Sequence, residues 1–235
     1  MDFTVAITTF NPMASLRTEM LRTTVQSVDL AFPRAKKLLL DNGSSDLSMY
    51  LYEELMEVYP QWGLLFNMAS DGNTTPGRGR NVIMQHVREQ LGDPADGHVV
   101  VFSDDDMRWH TFAQETIESF WSQAPKDVAI LGGLLEPEYR HNTPRETIEH
   151  GGVRALVRDS TPGASWSFLY QEWHRAIGPV IDDFGYDTRC CEKLKKKGLK
   201  VAQMELAEHI GYGVSTHGNE QAMWTRPLDR DKWGV

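Results

Sequence analysis

The sequence is poor in the features that would take a protein out of a reducing, aqueous setting. It has two cysteines, Cys190 and Cys191, and they are adjacent. Neighbouring cysteines bridge only with strain and two make no framework, which excludes a disulfide-stapled scaffold and leads to the expectation of a cytoplasmic protein. No apolar run approaches the ~18 residues that cross a bilayer. Met1-Asp2-Phe3-Thr4-Val5 has neither a basic nor a long apolar segment, so neither a signal peptide nor a membrane anchor is expected. Basic residues are in deficit, 24 against 33 acidic, for a net charge of −9. Such a chain does not attract polyanions or an anionic membrane by its overall field, although a small basic cleft is compatible with it. Two phosphate-binding signatures are also missing. No Gly-Lys-Ser/Thr closes a Walker loop, and no dinucleotide fingerprint follows the first apolar run.

What is present is an ordinary globular composition, 40% hydrophobic and 24% charged over 235 residues. A chain of this size buries roughly 70–75% of its unfolded surface, so it builds a full core. The first hundred residues alternate between apolar runs and helical periodicity. Strands are expected at 3–7, 37–40, 64–66 and 98–102. Helices are expected from Ser15 as cap through Val28, from Leu47 to Val58, and from Val82 to Leu91 after a glycine-rich loop. Uninterrupted apolar strands separated by helices imply parallel strands covered on both faces, with ligands at the strands' carboxyl ends. The polar segments 8–11, 41–46, 67–80 and 103–106 all follow strands and so collect on one edge. Further strands are expected at 128–131, 153–157 and 199–205, helices at 168–177 and 187–197, and a polar loop at 136–145. No linker or repeat interrupts the chain. The fold class is therefore α/β, a single domain with a central mostly parallel sheet, helices on both faces and a mixed C-terminal half.

Asp104-Asp105-Asp106 is the strongest chemical signal. Three consecutive carboxylates repel one another unless a cation sits among them, and the alternate pair Asp104 and Asp106 can converge on one hard ion. The bland reading is a solvated acidic turn; placement after the buried run Val99-Val100-Val101-Phe102 favours the ion. Asp41, in Asp41-Asn42-Gly43-Ser44-Ser45-Asp46, is a strand-end carboxylate suited to a nucleobase or ribose. It is equally turn chemistry, with Asp46 as a helix cap. The segment 72–81 places Arg78 and Arg80 before a helix, a natural setting for phosphate oxygens. Trp166, Phe168, Tyr170 and Trp173 read as core, with an acceptor platform as the sharper alternative. Lys193, Lys195, Lys196 and Lys197 read as a solvated helix end, with a nucleic-acid patch second.

Taken in order, Val5-Ala6-Ile7-Thr8-Thr9-Phe10-Asn11, Leu40-Asp41-Asn42-Gly43-Ser44-Ser45-Asp46, Gly79-Arg80-Asn81 and the Asp-x-Asp at 104–106 resemble the family 2 glycosyltransferases, whose fold is called GT-A. Ile177-Gly178-Pro179-Val180-Ile181-Asp182-Asp183 resembles that family's segment before the catalytic acid, and Tyr186-Asp187-Thr188 its Glu-Asp motif. Tyr186 stands where glutamate is usual, and Arg189 where a second aspartate often follows. The resemblance implies metal-assisted, inverting transfer of a sugar from a nucleotide diphosphate donor, a UDP-sugar by family habit. It implies donor contacts from Thr8, Thr9, Phe10, Asn11, Asp41, Arg78, Arg80, Asn81, Asp104 and Asp105. It places Mn2+ or Mg2+ on Asp104, Asp106 and His209, with His217 competing for that last role. Asp187 becomes the base, with Asp183 in reserve. Residues 1–110 would be the nucleotide-sugar half, 111–218 the acceptor-binding and catalytic half, and 219–235 a tail.

Two other functions compete. A sugar-nucleotide nucleotidyltransferase would want a glycine-rich basic loop directly after the first strand, where Thr8-Thr9-Phe10-Asn11-Pro12 stands. A non-catalytic nucleotide-sugar or glycan-binding module would fit the changes at Tyr186 and Arg189. The acceptor could be a saccharide, a protein or a modified nucleic-acid base, and a lipid-linked carrier is less favoured.

Overall fold

A computed structural model describes residues 1–13, 17–44, 47–68, 72, 74–92, 97–123, 126–134, 146–183 and 185–211. The expectations that rest on Ser15, Asp46, 136–145, His217 and 219–235 lie outside them. In chain order the elements are β1 (Phe3–Thr9), α1 (Arg17–Ala31), β2 (Lys36–Asp41), α2 (Ser48–Val58), β3 (Gly63–Phe66), α3 (Pro76–Leu91) and β4 (Val99–Asp104). They continue with β5 (Met107–Trp109), α4 (Ala113–Ser122), β6 (Val128–Gly132), β7 (Glu146–His150), β8 (Val153–Arg158) and β9 (Trp166–Leu169). A single helical turn, α5 (Tyr170–Glu172), runs into a π-helical stretch at Trp173–Ile177, followed by α6 (Tyr186–Lys196), β10 (Lys200–Gln203) and β11 (Ala207–His209).

Nine strands form one sheet in the order β3-β2-β1-β4-β9-β6-β10-β8-β7, and β5 pairs with β11 beside it. β3, β2, β1 and β4 are mutually parallel, as are β6 and β10. β9 enters antiparallel between β4 and β6, and β8 and β7 are antiparallel at the far edge. Four of the eight pairings are thus antiparallel, so the sheet is mixed overall, wholly parallel from β3 to β4 and with one further parallel pair, β6 and β10, beyond β9.

The side-chain alternation of the strands explains the two covering layers. Phe3, Val5 and Ile7 of β1, with Val99 and Val101 of β4, face a core completed by α1, α2 and α4. Ala6, Val100, Phe102, Leu38 and Leu40 point the other way, into a core completed by α3, the 170–177 segment and α6.

Two expectations are corrected. α3 starts at Pro76, not Val82, so Gly77, Arg78, Gly79 and Arg80 are its first turns rather than a loop. Proline is favoured in a first helical turn, and Thr75 caps it by accepting the Arg78 N–H. The aromatic segment is not one helix. Trp166-Ser167-Phe168-Leu169 is strand, buried between two others, and helical backbone begins only at Tyr170.

Candidate active site

Strand register builds the site. Thr8 lies level with Leu40 and Asp104, and Thr9 with Asp41, so the carboxyl ends of β1, β2 and β4 finish on one line. At the β2 end, Ser44 donates to Asp41 Oδ1 from its N–H at 3.0 Å and its hydroxyl at 2.5 Å. The Asn11 N–H donates to Ser44 Oγ at 2.8 Å, which ties the β1 loop to the β2 loop. Asn11 takes a left-handed backbone (φ 48°), a conformation asparagine tolerates. Asp41 is thus engaged as a turn residue, at the same strand edge as Thr8 and Asp104.

The acidic run divides into three roles. Asp105 points inward. Arg17 donates to both of its oxygens at 2.5 Å, and the Thr9 hydroxyl donates at 2.6 Å. Burial pushes the Asp105 carboxyl up to about 6, with Arg17 opposing. Asp105 and the Thr9 hydroxyl are therefore committed to each other and to Arg17, away from a ligand. Asp104 is half-buried and paired with Arg80; burial raises its pKa while Arg80 pulls it back. Asp106 pairs through Oδ2 with His209 Nε2 at 3.1 Å, and its Oδ1 is buried with no hydrogen-bond partner among the described residues. Burial alone would raise Asp106, but the imidazole outweighs it and holds the carboxylate below its ordinary range. Conversely, His209 is raised: burial lowers it, and Asp106 more than compensates. The β5–β11 pairing, which sets His209 opposite Met107, brings the histidine to Asp106. Gly211 passes so close that a Cβ there would collide with the Asp106 carboxylate. Among the described residues no group of three His, Cys, Asp or Glu side chains converges in metal-holding geometry. Asp106 and His209 are in contact, while Asp104 is turned to Arg80. The orphaned Asp106 oxygen beside an imidazole is nonetheless a donor set that a hard or borderline cation fits.

Arg80 is the largest displacement from expectation. Its side chain is 0% exposed and all five N–H groups have acceptors. Nε donates to the Tyr186 hydroxyl (3.3 Å), Nη1 to Thr8 Oγ1 (2.5 Å) and the Ser103 carbonyl (3.3 Å), and Nη2 to Asp104 and the Gly163 carbonyl (3.2 Å). Phe102 lies beneath the guanidinium at 5.0 Å. No donor remains for a diphosphate, because the residue sits inside α3 and not in a loop. Asn81 is likewise committed: it donates to the Val180 carbonyl at 2.9 Å and to the Asp182 carboxylate at 2.5 Å, and its amide oxygen accepts the Val180 N–H at 3.0 Å. Arg78 is half-buried and pairs with Asp182 at 3.2 Å. Thr8 and Phe10 line the β1 end.

Asp187, in the first turn of α6, is half-buried, and its Oδ2 accepts the Gly163 N–H at 3.3 Å. Asp183 pairs with Arg189 at 2.9 Å and accepts the Gly185 N–H at 2.9 Å. The lysines close the π-helical stretch: Lys193 donates to the Ile177 carbonyl (3.0 Å) and Lys197 to those of Arg175 and Ala176 (3.5 and 3.4 Å). Lys195 pairs with Asp159. Much of this basic run thus serves the fold. Cys190 and Cys191 are buried and form no disulfide, and burial pushes the Cys190 thiol up to about 12.

Set against solved structures, the chain aligns with the mannosyltransferase PcManGT from Pyrobaculum calidifontis in complex with GDP-Man and Mn2+ at TM-score 0.59 and 14% identity, over 86% of this chain and 54% of that one. GalNAc-T7 with UDP, GalNAc and Mn2+ gives 0.61 and 14%, over 89% and 44%. S. aureus TarS 1-349 gives 0.58 and 13%, over 88% and 60%. The chain shares the fold of these three proteins. It spans about half the length of these proteins. No protein-family model and no curated protein matches the chain in sequence. Within the shared fold, the Asp-x-Asp run ends β4, and no helix among the described residues is long and apolar enough to cross a membrane.

The cluster makes a pH prediction. Between the ordinary aspartate value of 3.8 and about 6, folded Asp105 keeps a proton the unfolded chain has released, so its contribution to stability falls as pH rises through that window. His209 is raised above 6.5, so its contribution is complete below 6.5 and is lost as pH climbs through its folded value. Asp106 acts the other way only below 3.8. Without divalent cations the melting temperature is expected to be higher at pH 5 than at pH 8, by an amount worth roughly 1–3 kcal/mol. A scan of melting temperature against pH in chelator checks it.

Proposed function

We propose that the chain transfers a sugar from a nucleotide diphosphate donor, a UDP-sugar, to an acceptor hydroxyl with inversion. The observation that carries the reading is Asp106, whose buried, unpartnered oxygen and His209 contact stand at the end of β4 in the shared fold. PcManGT and GalNAc-T7 are each described with a nucleotide or nucleotide-sugar and Mn2+, which supports the same ligand class here. Asp106 and His209 would hold Mn2+ or Mg2+, with Asp104 beside them; when bound, the cation supplies neutralising charge for a departing diphosphate.

The chain's own residues do the rest. Asp41, Thr8, Phe10 and Asn11 would form the wall for the nucleoside, and Arg78, partly exposed at the start of α3, would leave Asp182 to meet the diphosphate. Asp187 takes the acceptor proton as the acceptor oxygen bonds to the anomeric carbon and the bond from that carbon to the diphosphate breaks. Asp183, held by Arg189 and Gly185, is the poorer base. Any acceptor, whether saccharide, protein or modified nucleic-acid base, must present a hydroxyl to Asp187 from the 111–218 half.

The test is a thermal-shift screen of nucleoside diphosphates with and without Mn2+. One nucleotide should raise the melting temperature only in the presence of the ion, and more at pH 8 than at pH 5, because His209 must give up its proton to bind. No cation-dependent shift from any nucleotide would overturn the reading. A binding module of the same fold is separated by Asp187→Asn, which leaves ligand affinity intact and, in an enzyme, lowers turnover by about 10²- to 10⁴-fold to a measurable remainder.

A further inference from the structure

Gly163 joins three groups that the motifs of the sequence leave separate. Its N–H donates to Asp187 Oδ2 (3.3 Å), its carbonyl accepts from Arg80 Nη2 (3.2 Å), and a Cβ on it would run into the hydroxyl and ring of Tyr186. Only glycine leaves room for the phenol here. Tyr186 is 4% exposed, packs its ring on Trp166 at 5.5 Å between centroids, and accepts the Arg80 Nε–H at 3.3 Å. Arg80 in turn holds Asp104 and Thr8. A continuous, buried chain of contacts therefore runs from Asp104, at the end of β4, through Arg80 to the first residue of α6, immediately before Asp187.

We propose that Tyr186 is a positioning residue, whose hydroxyl fixes Asp187 relative to the Asp104 edge by locking α6 onto Arg80 and Gly163. The inference rests on the reading of Asp187 as the base. Where the resembling motif has glutamate, a second carboxylate would compete with Asp104 for Arg80. A neutral phenol accepts a hydrogen bond without adding charge, so the arginine's charge stays with Asp104. The same side chain, one position from the base, fills the space over Gly163 and so sets the angle at which α6 begins.

Tyr186→Phe keeps the ring and its packing and removes only the hydroxyl. With donor and Mn2+ present and donor hydrolysis followed, kcat should fall about 10- to 100-fold, as for a misplaced catalytic group, while the donor KM and the nucleotide-induced thermal shift stay within about twofold. Because Tyr186 acts through Asp187, Tyr186→Phe should cost nothing further in an Asp187→Asn background. Should Tyr186→Phe fail to fold, Gly163→Ala perturbs the same contact from the other side and should give the same fall in kcat at unchanged KM. Full turnover in either folded variant, or additive losses with Asp187→Asn, overturns the proposal. Wild-type protein that shifts with nucleotide and Mn2+ but never hydrolyses donor overturns the enzyme reading, and this inference falls with it.

Discussion

Asp106→Asn is expected to abolish the Mn2+-dependent thermal shift and to lower donor turnover by about 10²- to 10³-fold, the scale of losing a main electrostatic stabiliser of a leaving group. The substitution keeps the shape and the contact with His209 but replaces the unpartnered Oδ1 and the negative charge that a cation would meet. Asp104→Asn should lose less cation affinity, since that carboxylate is already engaged by Arg80. Titrating Mn2+ against the melting temperature of both variants checks the ranking. If Asp104→Asn were the more damaging to cation binding, the ion would sit nearer β4 than His209 allows.

Arg17→Met is expected to cost about 3–5 kcal/mol of folding stability, the usual penalty for stranding one half of a buried ion pair. Both partners are almost inaccessible, with side-chain exposures of 7% and 6%, so water cannot take the place of the guanidinium. The loss should be smaller at pH 5 than at pH 8, because a carboxyl already pushed up to about 6 can shed its charge by taking a proton. Replacing both partners, Arg17→Met with Asp105→Leu, should recover much of the loss. Urea unfolding of the single and double variants at the two pH values measures each of these differences.

The first half of the fold was legible because β1, β2 and β4 are apolar runs buried on both faces, and the polar segments after them mark the carboxyl edge. Where patterns overlap, the reading failed. Gly77 and Gly79 look like loop glycines, yet they are helical: a Cβ at Gly77 would strike the Ile181 carbonyl, and one at Gly79 would crowd Thr8 and Asn42. Close approach, not backbone freedom, explains them, and close approach leaves no mark in a single sequence. Trp166, Phe168 and Tyr170 satisfy period 2 as well as helical spacing, and the place of Trp166 and Phe168 in the strand between β4 and β6 is decided by tertiary pairing. Arg17 could have been found. It falls on the stripe of Leu21, Thr24, Val25 and Val28, and an arginine on an apolar face demands an anion. Asp105 was the available carboxylate. For Arg80 the signal misled, since an arginine near a glycine-rich start reads as a phosphate ligand, whereas its five donors are all satisfied inside the protein.

The small β5–β11 ribbon has a consequence for how the protein comes to be. It joins segments about a hundred residues apart in the chain, and such distant pairings are among the slowest to form. During synthesis the β1–β4 layer can assemble early, but His209 reaches Asp106 only when β11 has emerged and docked. A nascent or truncated chain lacking that strand would hold the acidic residues without their imidazole, so the cluster is complete only once β11 has been made and has docked.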